Sequence, residues 1–356
     1  MVKLRDFAAR VWAGEAGAGG RALDAALLPA EWAFRGIVAA RNEAFERGVI
    51  EAESAGVPVI SVGNLAVGGA GKTPFAAWVA ARLRSWGHRP GIALRGYGGD
   101  ETLLHRELNP AIPVAAAAKR VEAARELAVG GCDVVVLDDG FQHRRLARDL
   151  DIVLIAVEGW TPRPRLLPRG PWREGTSALA RADVIVLTRK SAGVARARQV
   201  EAEVARAAPG KPISICHLEA DRLVALHGGA SRELDWLRGR RVFAVAALAG
   251  PKPFFDALRQ AGATVEEDAF ADHHPFSAAD AARIQALAEG RTIVMTHKDA
   301  VKLRPLLPPS TDALVLEQAV RIDTGGDALD AAIRGAMDRG KVEGPSGKWP
   351  CPNPLP

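Results

Sequence analysis

The stretch Ser61-Val-Gly-Asn-Leu-Ala-Val-Gly-Gly-Ala-Gly-Lys-Thr-Pro74 holds the residues whose types and spacing speak most directly of chemistry. An apolar run ends in a glycine-rich loop, and Gly71-Lys72-Thr73 opens a helical pattern. Successive backbone N–H groups in such a loop can wrap phosphate oxygens, and the helix N-terminus adds its partial positive charge. Lys72 would reach the β- and γ-phosphates of a nucleoside triphosphate, and the Thr73 hydroxyl would hold Mg²⁺. The residues expected to cradle the nucleotide are Ala66, Val67, Gly68, Gly69, Ala70, Gly71, Lys72 and Thr73. The strict G-x-x-x-x-G-K-[ST] pattern asks for glycine at position 66, where this chain has Ala66. Pro74 suits a first helical turn, where its missing N–H costs little.

A second acidic signal follows. Val134-Val-Val-Leu-Asp138-Asp139-Gly140 is an apolar run ending in two aspartates. In a phosphate-loop domain such a strand lies beside the loop, and its terminal carboxylate supplies the hard oxygen that Mg²⁺ requires. Thr73 and Asp138 are the expected metal ligands, with Asp139 beside them in a catalytic role alongside Lys72. Either aspartate could face the metal on this pattern. Taken alone, aspartate after a strand is also ordinary turn chemistry.

These groups need elements to position them. Val57-Pro-Val-Ile-Ser-Val62 reads as a strand and 73–85 as a helix. Gly91-Ile-Ala-Leu94 is a short strand, 121–128 a helix, and 134–137, 152–155 and 184–187 are buried strands. Apolar runs without alternation, separated by helices, argue for a parallel sheet covered on both faces. A second series contains a strand over 242–248, a helix over 253–261 and a strand over 292–295, with residues 215–240 read as the connection. Residues 1–50 are helical in character. Phe34, Ile37, Val38 and Phe45 share one helical face, and Trp12 and Trp32 could anchor at an interface. The same pattern equally describes an amphipathic helix packed on its own core.

The chain has 356 residues, 48% hydrophobic and 25% charged, which fits a folded protein of about two domains. A net charge of +5 favours an anionic partner. Aromatics make up only 5%, with no basic run interleaved among them, so base-stacking on nucleic acid is not indicated. Cys132, Cys216 and Cys351 are far apart and form no C-x-x-C pair, so no disulfide framework or zinc site can be read from them, and a reducing cytoplasm fits best. No run reaches the ~20 apolar residues of a membrane span. Met1-Val-Lys-Leu-Arg-Asp6 lacks the apolar core of a signal peptide.

Read together, the motifs resemble one family, the tetraacyldisaccharide 4′-kinases. The resemblance rests on Val62-Gly-Asn-Leu with Gly68-Gly-Ala-Gly-Lys-Thr-Pro74, on Arg95-Gly-Tyr-Gly-Gly99, and on Asp138-Asp-Gly-Phe-Gln-His143 with Arg145-Leu-Ala-Arg-Asp149. It continues in Leu167-Pro-Arg-Gly-Pro-Trp-Arg-Glu174, Phe270-Ala-Asp-His-His274 and Thr296-His-Lys-Asp-Ala-Val-Lys302. Members of that family likewise relax the first glycine of the loop. The resemblance implies an α/β fold of two α/β/α domains, the first a P-loop NTPase-like, mostly parallel sheet, preceded by an N-terminal amphipathic helical segment. The expected limits are 1–50 for a membrane-associated segment, 51–218 for the kinase domain, 219–340 for a smaller α/β domain and 341–356 for a loose tail. It implies ATP and Mg²⁺ as cofactors and transfer of the γ-phosphoryl group to the 4′-hydroxyl of an acylated glucosamine disaccharide 1-phosphate. The expected setting is the cytoplasmic face of the inner membrane, held peripherally, with no nucleic acid and no obligate protein partner.

The same resemblance implies roles for single residues. Asp100, in Gly99-Asp100-Glu101, matches the proposed base, although it follows Arg95-Gly-Tyr almost without a spacer and Thr102 stands where proline is usual. His273 matches the histidine that pairs with that base. Asn64, Arg95, Tyr97, Gln142, His143 and Arg173 fall in motifs expected to face substrate. His297 stands where glutamate is more usual.

Blander readings accompany each of these. Asp100 could cap a turn after two glycines. His273 and His274 could be loop histidines, and adjacent residues rarely serve one metal ion. His143, Arg144 and Arg145 could be a solvated basic edge. Of Arg163, Arg165, Arg169 and Arg173, one or two are expected to matter for phosphate. Two other functions share the phosphate loop. A soluble kinase of a small sugar or nucleotide would need no amphipathic N-terminus, and a nucleotide-switched ATPase scaffold would need no Asp–His pair.

Overall fold

Strands rich in valine and isoleucine build the centre of the molecule. Every residue of Val59–Asn64 is buried, as is every residue of Val134–Asp138, which a strand accepts only when both faces of its sheet are covered. The computed structural model describes residues 7, 10–12, 14–96, 99–248 and 250–342.

Among the described residues, the first helices with defined limits are α1 (Gly17–Ala26) and α2 (Leu28–Glu46). The phosphate-loop half follows as β1 (Val59–Asn64), α3 (Lys72–Ser85), β2 (Pro90–Arg95), α4 (Gly99–Leu108), β3 (Val114–Ala117), α5 (Arg120–Val129), β4 (Val134–Asp138), β5 (Leu150–Ala156), β6 (Val184–Arg189) and α6 (Val194–Ala207). The second half runs through β7 (Ile213–Ala225), β8 (Arg232–Glu233), β9 (Arg241–Ala246), α7 (Lys252–Gln260), β10 (Thr264–Ala269), α8 (Ala278–Ala288), β11 (Ile293–Thr296), α9 (His297–Leu303), β12 (Ala313–Thr324) and α10 (Gly326–Val342).

The strands form one sheet in the order β10-β9-β11-β12-β7-β6-β5-β1-β4-β2-β3, with β8 beside β7. Pairing is parallel except where β7 meets β12 and β8. The long β7–β12 ribbon therefore joins two parallel sections. Residues 215–240, read from sequence as a connection, instead contain most of β7. Its outer residues from His217 on are mostly half-buried, with Glu219 and Arg222 exposed, rather than running apolar, so they carry no buried-strand signature.

Phe75, Val79 and Leu83 of α3 pack with Ile60, Val136 and Ile152 in one core layer. Truncating a buried Phe75 to alanine would cost about 3–5 kcal/mol. Leu329, Ile333 and Met337 of α10 complete that same layer. The chain's last described helix thus covers the phosphate-loop half, although the sequence reading assigned it to the second domain. The second half has its own layers around Phe243, Ile284 and Met295 on one face and Phe255 and Leu258 on the other.

The N-terminal segment departs from the expected single amphipathic helix. It breaks at Leu27, and the side of α2 turned to the protein is partly polar. Glu31 is only 3% exposed and accepts the Leu166 N–H at 2.9 Å and an Arg169 N–H at 3.3 Å. Asn42 donates to Glu174 at 2.9 Å. Phe34, Val38 and Phe45 turn inward, whereas Ile37 and Trp32 are 67% and 69% exposed. Ile37 therefore does not share the docked face that its spacing suggested. No described helix is long and apolar enough to cross a membrane. Cys132 and Cys216 are free and buried. Cys351 and the tail from 343 lie outside the described residues.

Candidate active site

The site begins where β1 ends. Its loop reverses through Gly68 (φ 114°) and Gly71 (φ 77°), conformations that side chains seldom adopt, and Gly71 leads directly into α3. No side chain caps α3, so its first N–H groups remain directed at the loop. Position 66 forms an extended bridge to Trp172, which alanine adopts freely, so the missing glycine costs nothing here. The Val67 N–H donates to the Pro171 carbonyl at 2.7 Å and the Arg173 N–H to the Leu65 carbonyl at 2.7 Å. That pairing holds Arg173 at the loop. The Thr188 hydroxyl donates to the Ala70 carbonyl at 3.0 Å and supports the loop from β6.

The parallel register of β1 with β4 sets Val62 opposite Asp138, bringing the acidic pair to the loop. The Thr73 hydroxyl donates to Asp138 Oδ2 at 2.9 Å, and His105 Nε2 lies 3.0 Å from the same oxygen. Asp138 Oδ1 is buried without a hydrogen-bond partner. Asp139 takes a different environment. Its φ of 53° is left-handed, and its carboxylate receives Arg173 Nη1 at 2.9 and 3.0 Å, with Lys72 Nζ 3.5 Å away. Arg120 donates to its carbonyl at 2.9 Å. Burial pushes the Asp139 carboxyl up, but Lys72 and Arg173 together hold it below the usual carboxylate range. A left-handed aspartate fastened on three sides is the kind of strained position that clusters at functional sites.

The expected substrate contacts divide. Gln142 donates to the Asn64 carbonyl at 2.8 Å and accepts from Arg173 at 3.1 Å, so it braces the arginine. Asn64 is 2% exposed at the end of β1 and is not among the residues that line the cleft. Arg95 and His143 line the cleft. Burial and four neighbouring arginines lower the His143 imidazole to about 4, which keeps it neutral at physiological pH. Tyr97 lies outside the described residues.

Helix α4 carries Asp100 and Glu101 in its first turn. The Asp100 carboxylate is paired with Lys302 of α9 at 3.1 Å. Burial raises the Glu101 carboxyl, and Asp138 and Asp139 raise it further. His273, at φ 57°, lies 3.2 Å from Lys298 Nζ, which also reaches Asp272 at 3.3 Å. Asp100, His273, Lys72 and Asp139 all line one open cleft of about 2480 Å³.

Comparison with known proteins then decides the class. A family model described as Tetraacyldisaccharide-1-P 4'-kinase matches residues 23–338. The chain is 40% identical over 357 residues to a tetraacyldisaccharide 4'-kinase of Anaeromyxobacter dehalogenans strain 2CP-C, covering 90% of this chain and 93% of that one. It is 40% identical over 296 residues to that of Aromatoleum aromaticum, covering 78% and 84%. A 2.2 Å crystal structure of the "apo" form of LpxK from Aquifex aeolicus in complex with ATP aligns at a TM-score of 0.72, with 30% identity over 88% of this chain and 99% of that one. The chain belongs to the tetraacyldisaccharide 4′-kinase family.

In this kinase, the arrangement suits a divalent cation. Mg²⁺ seeks few protein oxygens and keeps several waters. The unpartnered Asp138 Oδ1 beside the Thr73 hydroxyl offers such oxygens, whereas Asp139 is engaged by Lys72 and Arg173. The geometry thus favours Asp138 over Asp139 as the ligand, a choice the sequence pattern left open.

Several groups of the kinase escaped the sequence reading. His105 is fully buried against Asp138, and its only sequence signal was helical spacing, one turn beyond Glu101. Lys190, after β6, brings its ammonium against Gly69 of the loop, and burial lowers its pKa. Glu107 forms a two-pronged ion pair with Arg304, and His297 Nε2 stands 3.5 Å from Glu107 Oε2. His297 therefore acts in a contact between α4 and α9. The arginine-rich loop also divides. Arg165 and Arg169 pair with Asp24 and Arg169 with Glu31, tying the loop to α1 and α2, while Arg173 alone of the four reaches the acidic pair. His274 stacks on Phe270 and Phe276 and bonds Asp280 at 3.1 Å, a packing role.

Proposed function

We propose that the chain transfers the γ-phosphoryl group of ATP to the 4′-hydroxyl of a tetraacylated glucosamine disaccharide 1-phosphate, working peripherally at the cytoplasmic face of the inner membrane in lipid A biosynthesis. The observation that carries this reading is the convergence of Lys72, Asp138 and Asp139 with Asp100 and His273 around one cleft. The apolar side chains of Trp12, Phe34 and Val38 line the same cleft, suiting an acylated substrate.

The roles follow from charge and position. The loop N–H groups and Lys72 bind the triphosphate and neutralise charge on the transferring group. Thr73 and Asp138 would hold Mg²⁺, which supplies further charge neutralisation. Arg173, braced by Gln142, stands by for phosphate oxygens. Asp100 takes the proton of the attacking hydroxyl once released from Lys302, with His273 orienting it. The two halves of the molecule, which meet across α4 and α9, with α10 belonging to the phosphate-loop half, then act as two bodies that close on substrate. Exposed Trp32, Ile37, Leu23 and Leu28 on α1 and α2 would enter the headgroup region of the bilayer.

The test is a transfer assay with γ-labelled ATP, Mg²⁺ and tetraacyldisaccharide 1-phosphate in mild detergent, with Lys72→Ala as control. Label in the lipid, lost in the control, is expected. Label released only as free phosphate would replace this reading with an ATPase. A second measurement is sedimentation with anionic vesicles, where Trp32→Ser with Ile37→Ser is expected to leave the protein in the supernatant.

A further inference from the structure

Helix α4 does more than carry Asp100. Its His105 is 0% exposed and reaches Asp138 at the end of β4. The contact to Asp138 Oδ2 is 3.0 Å, and the Thr73 hydroxyl occupies the same oxygen at 2.9 Å. An ionised carboxylate only accepts, so the imidazole nitrogen facing it carries the proton. Two donors converging on Oδ2 leave Oδ1 of the same carboxylate with no partner. The other imidazole nitrogen, Nδ1, is also buried without a partner.

A residue selected for packing alone would be apolar here, because a buried unpartnered nitrogen weakens the fold. What the imidazole supplies in return is orientation. With Thr73 alone, the carboxylate could turn about its Cβ–Cγ bond. A second donor from a different helix fixes that rotation and keeps Oδ1 directed away from Oδ2's partners. Groups that orient a metal ligand from behind act in this way.

We propose that His105 is a positioning residue that holds the Asp138 carboxylate in the rotamer that binds the divalent cation of the nucleotide complex. The inference rests on the phosphate-loop reading above but not on the identity of the acceptor. Because α4 also begins with Asp100 and Glu101, His105 ties the helix of the candidate base to the metal ligand. Any displacement of α4 is thereby felt at Asp138.

The test uses the full chain in detergent, with Mn²⁺ as the probe. Electron paramagnetic resonance would follow Mn²⁺ binding in the presence of a non-hydrolysable ATP analogue, and calorimetry would follow binding of the analogue without metal. His105→Leu is expected to weaken Mn²⁺ binding by about 10-fold or more. It should leave metal-free nucleotide affinity within about twofold and the melting temperature unchanged or raised. His105→Gln, whose amide can reach Asp138, is expected to restore most of the affinity, and His105→Asn, which is one methylene shorter, is not. Equal Mn²⁺ affinity in wild type and His105→Leu would overturn the proposal. So would a parallel loss of metal-free nucleotide binding, which marks a purely structural role. If the leucine variant does not fold, equal affinities for the Gln and Asn variants would overturn it in the same way. None of these measurements involves the lipid, so failure of lipid transfer would sink the proposed substrate while leaving this result to be judged separately.

Discussion

The two walls of the cleft are built by different means. On the phosphate side, Lys72, Thr73, Asp138 and Asp139 come from one strand–loop–helix unit and the strand next to it, and they sit within 3.5 Å of one another or of Arg173. Backbone register and glycine turns place them. On the acceptor side, Asp100 meets Lys302, Glu107 meets Arg304 and His297, and Lys298 meets Asp272 and His273. Charge pairs between helices and loops hold that wall, and Asp100 keeps nearly half its side chain exposed. A wall set by backbone geometry is rigid before anything binds. One set by exchangeable ion pairs can re-form around a substrate, as a closing cleft requires.

This contrast can be broken by mutation, beginning with the largest effect. Lys72→Ala removes charge neutralisation from the rigid wall, and kcat is expected to fall about a thousandfold, measured as label transfer to lipid. Asp100→Asn should reduce kcat about a hundredfold while leaving ATP affinity unchanged. If ATP affinity falls as well, Asp100 belongs to the rigid wall and the division is wrong. Glu107→Gln and Arg304→Gln, singly and together, test the ion-pair wall. Their double-mutant cycle in kcat/KM should show a coupling of about 1 kcal/mol that shrinks at high salt, whereas nucleotide binding should be insensitive to both.

A further effect is one of pH and lies on the rigid side. His143 titrates at about 4 in the fold against 6.5 as its ordinary value. Between those values the unfolded chain binds a proton that the folded chain does not. Stability should therefore drop as pH falls from about 6.5 towards 4. Thermal melts of His143→Gln across that window are expected to be flatter than those of the wild type. An unchanged slope would mean that burial and the surrounding arginines do not hold His143 neutral.

Legibility from sequence follows the same division. The loop 61–74 and the run 134–140 were readable because strand, turn and helix signals and the functional groups sit within one contiguous stretch. The parallel sheet was readable from β1, β4, β5 and β6 because strands buried on both faces carry continuous apolar runs. β7 was not, because its half-exposed outer residues look like a polar connection. In α2, helical spacing identified Phe34, Val38 and Phe45 but misplaced Ile37. Spacing shows which residues share a side of a helix, yet cannot reveal that the docked side is built around the buried Glu31.

The sequence by itself determined the phosphate loop, the acidic strand end, the α/β class and the family, since each is written in residues close together along the chain. Tertiary structure alone decided that Asp138 rather than Asp139 keeps a free oxygen, that His105 stands behind it, and that Lys302 holds Asp100. It alone decided that the last described helix covers the first half of the sheet. Those outcomes depend on partners separated by tens to hundreds of residues, and nothing in local spacing or propensity encodes which distant side chains a fold will bring within hydrogen-bond reach.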